Sequence, residues 1–162
     1  MRHLLPILAI PFLFTFCTPD PDPYSEAGIA QRVDSVLALM TLEEKIGQLT
    51  LYTSDMDQTG AFLRPQYIED IKKGQVGAIF NAYGAEYTRK LQEMAVKETR
   101  LGIPLLFGYD VIHGHRTIFP MPLAEAASWD MEMIRRSAEV AATEATAEGL
   151  HWTFAPMVDI AM

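Results

Sequence analysis

Cysteine is nearly missing: Cys17 is the one thiol in 162 residues. No internal disulfide can form, and no Cys/His cluster has the spacing of a zinc site. Positive charge is scarce as well. Lys and Arg number 13 against 21 Asp and Glu, a net charge of -8. Affinity for nucleic acid rests on neutralising phosphates, so an acidic chain argues against that partner. No run of basic residues makes a membrane-surface patch. Apolar runs are short. The segment from Leu4 to Phe16 spans roughly 20 Å as a helix, less than the roughly 30 Å of a bilayer core. Internal repeats and low-complexity tracts are absent too.

What is present begins with an address. Arg2 and His3 precede the apolar run, and residues 1–17 read as an export signal. Cys17 follows Phe16 at once, in the place of the modified cysteine of a bacterial lipoprotein. Thr15-Phe16-Cys17 also fits a small-x-small cleavage site. The expectation is lipidation at Cys17, with the membrane a partner only through that anchor. The protein is then exported, either to the periplasm or as a lipid-anchored protein of a bacterial membrane. Residues 18–25 carry Pro19, Pro21 and Pro23 beside Asp20 and Asp22. Repeated proline blocks helix and sheet alike, so this stretch is an extended, solvated tether.

The folded domain is expected over residues 26–162. Ile29, Val33, Val36, Leu37 and Met40 recur at helical spacing. Thr41-Leu42-Glu43-Glu44 is a capping box that opens a second helix, with Ile46 and Leu49 on its inner side. Asp55 to Gly60 is polar and turn-rich. Pro65 to Lys73 is helical, with Gly74 as its stop. Tyr87 to Thr99 is another helix, with Tyr87, Leu91, Met94 and Val96 inward. A long Ala-rich helix runs from about Asp130 to Gly149. Three apolar strands, Val76–Phe80, Ile103–Tyr109 and Trp152–Val158, alternate with these helices. Strands separated by helices of a dozen residues or more give an α/β fold with a parallel sheet. Three strand–helix units are the start of a (β/α)8 barrel, which needs eight strands and about 250 residues. The architecture is expected to be incomplete.

The second of these strands delivers the chemistry. Ile103 to Tyr109 is apolar, and Asp110, His113, His115 and Arg116 follow directly. A buried strand that presents polar groups at its C-terminal end is how parallel α/β enzymes build sites. Asp110 either receives a ligand or caps its own loop. His113 and His115 could join Asp110 as metal ligands, or hydrogen-bond to nearby backbone. Arg116 suits a loop-fixing ion pair. Asn81 ends the first strand and could line a pocket, and Asp159 ends the third, on the face where sites form. Trp129 and Trp152 offer flat faces on which a ligand could stack, and Trp129, beside a helix start, reads as packing.

Four segments together resemble glycoside hydrolase family 3, especially its periplasmic β-glucosidases. They are Met40–Leu49, Gly74–Asn81, Ile103–Gly114 with Arg116–Pro120, and Phe154–Ile160, in the family's order. The resemblance implies a (β/α)8-like barrel and an α/β sandwich beyond it. It implies retaining hydrolysis of β-linked sugars at the non-reducing end, with a carbohydrate as partner and with neither metal nor cofactor. Two carboxyl groups about 5–5.5 Å apart carry out such a reaction. In the family the nucleophile is an Asp on a later barrel strand, and the acid/base is a Glu beyond the barrel. Neither region lies within these residues, so the chain is expected to be an N-terminal fragment, inactive alone. Asp110 matches the family's sugar-binding Asp at the pocket floor. Met162 stands where the family usually has Arg. Two rival readings are a complete, non-catalytic, lipid-anchored sugar-binding module and a metal enzyme built on Asp110, His113 and His115.

Overall fold

The computed structural model describes residues 22–57 and 60–157. The expected signal with Cys17, most of the tether, and Val158 to Met162 with Asp159 lie outside the described residues. The chain divides into two compact units, one ending at Leu39 and the other beginning at Met40.

The first unit holds helix α1 (Glu26–Leu39). Ser25 starts it. Its Oγ accepts from the Gly28 N–H at 3.1 Å and donates to the Asp22 carbonyl at 2.6 Å, which supplies a helix end with a missing acceptor. The stripe of Ile29, Val33, Val36 and Leu37 is exposed.

The second unit opens with α2 (Leu42–Gln48), started by the expected capping box. Thr41 Oγ1 accepts from the Glu44 N–H at 3.2 Å, and Glu44 Oε2 accepts from the Thr41 N–H at 2.8 Å. The same carboxylate receives the Arg100 guanidinium, with Nε to Oε1 at 3.0 Å. One buried side chain thus ties the start of α2 to the far end of α4 (Ala85–Glu98). At the other end of α2 the packing is backbone on backbone. A Cβ on Gly47 would lie 2.4 Å from the Gly74 carbonyl oxygen, and a Cβ on Gly77 would lie 2.4 Å from that of Gln48.

Four strands form one parallel sheet in the order β1 (Leu51–Thr53), β4 (Ala78–Phe80), β5 (Leu106–Tyr109) and β6 (Trp152–Thr153). Between β1 and β4 lie an antiparallel pair, β2 (Asp55–Asp57) and β3 (Gly60–Phe62), and helix α3 (Pro65–Lys72). Proline at the first turn fixes the start of α3, and Gly74 at φ 72 follows its end. After β5 come α5 (Pro122–Ala127) and α6 (Met131–Ala147). Asp130 caps α6 by accepting from the N–H groups of Glu132 and Met133.

Strand register decides the two faces. Tyr52, Ile79 and Phe107 stand side by side across β1, β4 and β5. Ile79 and Phe107 are fully buried against Ile71 of α3, Leu91, Met94 and Ala95 of α4, and Ala141 and Ala145 of α6. Burying a side chain of that size stabilises by about 1.5–3 kcal/mol. The small residues Ser137, Ala141 and Ala145 recur every four positions on the buried side of α6. The opposite row is Thr53, Phe80, Gly108 and Trp152. On that face Leu51, Leu106, Trp152 and Phe154 are partly exposed.

The α/β class and the parallel sheet are as expected, and four strands are half of a closed barrel's eight. The expected count of three omits β1, whose three residues are too short to show a period of two. In the turn-rich stretch, Asp55–Asp57 form β2, and Gly60 begins β3, which pairs with it antiparallel. Ile46, Leu49 and Val96, expected inward, are exposed at 57%, 89% and 44%. Thr88 and Ala95 take the inner positions on α4. Periodicity locates a stripe, and the neighbours decide which edge of it is covered.

The Arg100 hydrogen bond, followed by that of the Thr41 N–H, holds the Glu44 carboxyl below its usual range despite burial. A lowered folded pKa adds stability that is present above the unfolded value, about 4.3 for Glu, and is lost as pH falls through the folded one. In the complete protein carrying this chain, wild type should melt above Glu44→Gln at neutral pH. The gap should narrow once pH falls below about 4.3. Thermal melts across that range check it, and a gap independent of pH would assign the effect to shape alone.

Candidate functional site

The C-terminal ends of β1, β4 and β5 carry Ser54, Asn81 and Asp110. Ser54 is buried, its N–H donating to the Phe80 carbonyl at 2.8 Å and its Oγ 3.3 Å from the Tyr87 hydroxyl. Asn81 adopts φ 62, a left-handed turn that asparagine tolerates. Its N–H reaches across to the Gly108 carbonyl at 3.0 Å, which closes the ladder at the strand tips.

Asp110 takes its place from the alternation along β5. Phe107 and Val111 lie in the core beneath the helices, and Tyr109 packs against it. Leu106, Gly108 and Asp110 have the opposite parity, which assigns Asp110 to the open face. The Asp110 side chain is exposed. Among the described residues its carboxylate has no hydrogen-bond or ion-pair partner. A loop cap would accept from nearby N–H groups, and this carboxylate does not. Below it, Gly108 leaves room for aromatic rings. A Cβ there would come within 3.2 Å of Phe154 and 3.5 Å of Trp152. Phe154 meets Phe80 edge-on at 5.2 Å and Trp152 at 4.5 Å between ring centroids. Trp152 is therefore packed into an aromatic cluster on the open face. Trp129 is 90% exposed at the turn into α6.

The loop after Asp110 is held by itself and by α6. Gly114 and Ile118 form a bridge. His113 Nδ1 donates to the Phe119 carbonyl, and the Phe119 N–H returns to that of His113, both at 2.8 Å. His115 Nε2 donates to Glu148 Oε2 at 2.9 Å, with both side chains buried. Arg116 pairs with Glu148 Oε1. Glu144 accepts from the backbone N–H groups of Arg116 and Thr117, each at 2.8 Å, and from the Thr117 hydroxyl at 2.6 Å. Arg116 thus makes the expected loop-fixing ion pair. Both histidines are committed to protein partners instead of gathering with Asp110. Among the described residues no group of three His, Cys, Asp or Glu is placed to hold a metal.

Glu148 is the centre of this clamp. Burial pushes its carboxyl up, but the hydrogen bonds and charges of His115 and Arg116 outweigh that and hold it below its usual range. Removing one partner from a buried ion pair costs about 3–5 kcal/mol. Its own backbone carbonyl accepts from the Thr88 hydroxyl at 2.9 Å, which links α4 to the same point. The His115 ring stands edge-on to Tyr83 and Tyr109, and its buried Nδ1 has no partner among the described residues. Glu144 and Glu148 are the residues that the sequence reading passed over. A signal was available: both lie at the C-terminal end of α6, where the helix dipole disfavours anions and no basic residue offsets them. Two carboxylates there call for cations from outside the helix.

An apolar cavity of about 390 Å³ lies between this loop, α5, α6 and β6. Val111, Phe119, Ile134, Ala141 and Pro156 line it, and Asp110 does not. A polyhydroxylated ligand needs polar partners, so this space is not the candidate site.

Comparison with known proteins places the chain in a family. The family described as "Glycosyl hydrolase family 3 N terminal domain" matches residues 41–162. A periplasmic β-glucosidase of Salmonella typhimurium is 44% identical over 79% of this chain. A putative β-xylosidase of Formosa agariphila is 29% identical over 82% of it. Among solved structures, the β-glucosidase of Listeria innocua in complex with isofagomine superposes with a TM-score of 0.66 at 38% identity, over 80% of this chain. A mutant of that enzyme in complex with laminaribiose gives 0.68 at 39%. The chain spans between 16% and 19% of the length of these proteins.

Proposed function

This chain belongs to glycosyl hydrolase family 3, and on that footing we propose that its strand tips form part of the sugar pocket of a β-glucosidase-like enzyme. The enzyme removes β-linked glucose or a related sugar from non-reducing ends with retention of configuration. The observation that carries the reading is the exposed Asp110 carboxylate at the end of the strand, which has no hydrogen-bond or ion-pair partner among the described residues. An ionised carboxylate accepts from two neighbouring hydroxyls at once, in short charge-assisted bonds. Asp110 is assigned to binding and orientation. The reacting pair is two further carboxyl groups, one nucleophile and one acid/base, and the mechanism needs no metal or cofactor. The sugars bound by the Listeria enzyme support a carbohydrate substrate.

Asp110→Asn keeps the size of the side chain and removes its charge. In the complete protein carrying this chain it should lower kcat/KM on an aryl β-glucoside by roughly 100-fold or more, because a charged hydrogen bond to the transition state is lost. Circular dichroism should be unchanged. A folded variant with wild-type kcat/KM would reduce Asp110 to a surface residue.

The proposal extends to the address. Residues 1–17 are the export signal, Cys17 the lipidated residue, residues 18–25 the tether, and residues 26–162 the barrel portion. The periplasmic Salmonella relative supports export. One acyl chain anchors marginally, whereas two or more hold firmly. Intact mass of the exported protein should show loss of residues 1–16 and a lipid mass on Cys17. An unmodified thiol, or a new N-terminus elsewhere, would refute the anchor.

A further inference from the structure

The sheet face that carries Asp110 also carries an aromatic ring beside it. Strands β5 and β6 run parallel, with Gly108 opposite Trp152 and Tyr109 opposite Thr153. The next rung sets Phe154 beside Asp110, and the Phe154 N–H donates to the Tyr109 carbonyl at 3.4 Å. Neighbouring strands lie about 4.8 Å apart, so the two residues are neighbours across the sheet. They also share a face. The Phe154 ring meets Phe80 and Trp152, which stand in the row of Gly108. Its Cε2 would lie 3.2 Å from a Cβ on Gly108. The ring therefore leans over the glycine, one step below the carboxylate on the same side of β5.

This ring is braced and open at once. Phe80 meets it edge-on and Trp152 packs against it at a tilt, yet Phe154 remains 39% exposed. Gly108 supplies the space in which it lies. A pyranose with equatorial hydroxyls has the complementary shape. Its axial C–H bonds give it two apolar faces, and its hydroxyls point outward from the rim. Such a ring needs an apolar surface beneath it and acceptors at its edge, the usual mixture in a ligand pocket. The face of an aromatic ring carries partial negative charge, which attracts C–H groups.

We propose that Phe154 is a further substrate-contact residue, the floor of the sugar pocket, which takes one C–H face of a pyranose with equatorial hydroxyls while Asp110 takes two hydroxyls at its rim. The inference rests on the reading of Asp110 given above and adds the shape of the sugar to it. An axial hydroxyl on the face that meets Phe154 would be pressed onto a surface without a partner for it, and that weakens binding. The galacto epimer carries its axial hydroxyl on one face of the ring, and the allo epimer carries its own on the other. Phe154 rejects one of the two, and the one rejected identifies the face that lies down.

The test uses Phe154→Leu in the complete protein carrying this chain, which removes the flat ring and keeps the position apolar. Phe154→Met takes its place should that variant fail to fold, because methionine fills irregular space. Glucose is the probe in saturation-transfer NMR, with the aromatic protons of the protein irradiated. Wild type should pass saturation chiefly to the axial protons of one face of the sugar. The variant should lose that preference. Its kcat/KM on an aryl β-glucoside should fall about tenfold. Its preference for the glucoside over the rejected epimer should fall at least about threefold, since the loss falls on the sugar that fits the floor.

If Phe154 only props the strand, the variant loses stability and activity on every substrate alike. The epimer ratio and the saturation pattern of wild type then persist, and that result overturns the inference while leaving Asp110 in place. A wild type that neither binds glucose nor turns over the aryl β-glucoside sinks the sugar pocket and its floor together. The Asp110→Asn variant separates the two residues. If it keeps wild-type kcat/KM while Phe154→Leu, or its substitute, shows the expected losses, Asp110 is struck from the pocket and the floor stands.

Discussion

Side chains on a strand alternate with a period of two, and the register of β5 therefore decides what this unit can do. Phe107 must enter the helix-covered core. Gly108 must then face the other way, where its missing Cβ leaves space for Phe154 and Trp152. Asp110 continues that second row beyond the end of the strand. A slip of one residue would bury the carboxylate and expose the phenylalanine, so the most costly error and the loss of the site are one event. The parallel pairing of β4 and β6 on either side fixes that register from both directions.

The polar groups around the strand tips follow a division of labour set by solvent. Several buried groups are paired: Ser54 with Phe80 and Tyr87, Thr88 with the Glu148 carbonyl, and His115 Nε2 with the Glu148 side chain. Among the described residues, no partner takes the lone pairs of the exposed Asp110 carboxylate. Burying a charge without a partner is costly, whereas leaving one in water is nearly free until a ligand arrives. The clamp on α6 lets both conditions hold within one short loop that carries an acid, two histidines and an arginine.

Local chemistry was legible in the sequence wherever it depends on residues a few positions apart. The Thr41–Glu44 box, the proline start of α3 and the Asp130 cap of α6 are contacts within one turn of chain, and each forms. The position of Asp110 at a strand end was legible because an apolar run ends on it. Three things were not. Strand β1 is too short to show a pattern, and its identity comes from pairing with β4. Ile46, Leu49 and Val96 belong to apolar stripes, but a stripe does not say what covers it. The link between Glu148 and Arg116 joins residues 32 positions apart, and only the folded loop brings them together. Whether Asp110 caps its own loop turns on hydrogen bonds that a sequence does not show, and among the described residues none reaches its carboxylate.

The contact between the end of α2 and the approach to β4 has a consequence for making hybrids of this domain. At Gly47 and Gly77 two stretches of main chain touch with no side chain between them. Side-chain contacts can be retuned by a neighbouring change of volume, but main-chain atoms offer no such adjustment. The two glycines therefore behave as one inherited unit. A recombinant whose junction falls between residues 47 and 77 takes the helix end from one parent and the strand approach from the other. Any difference in spacing between the parents then meets atoms with nowhere to move. Junctions at the boundary between Leu39 and Met40 leave that pair intact, and they cut the chain where its own packing already divides.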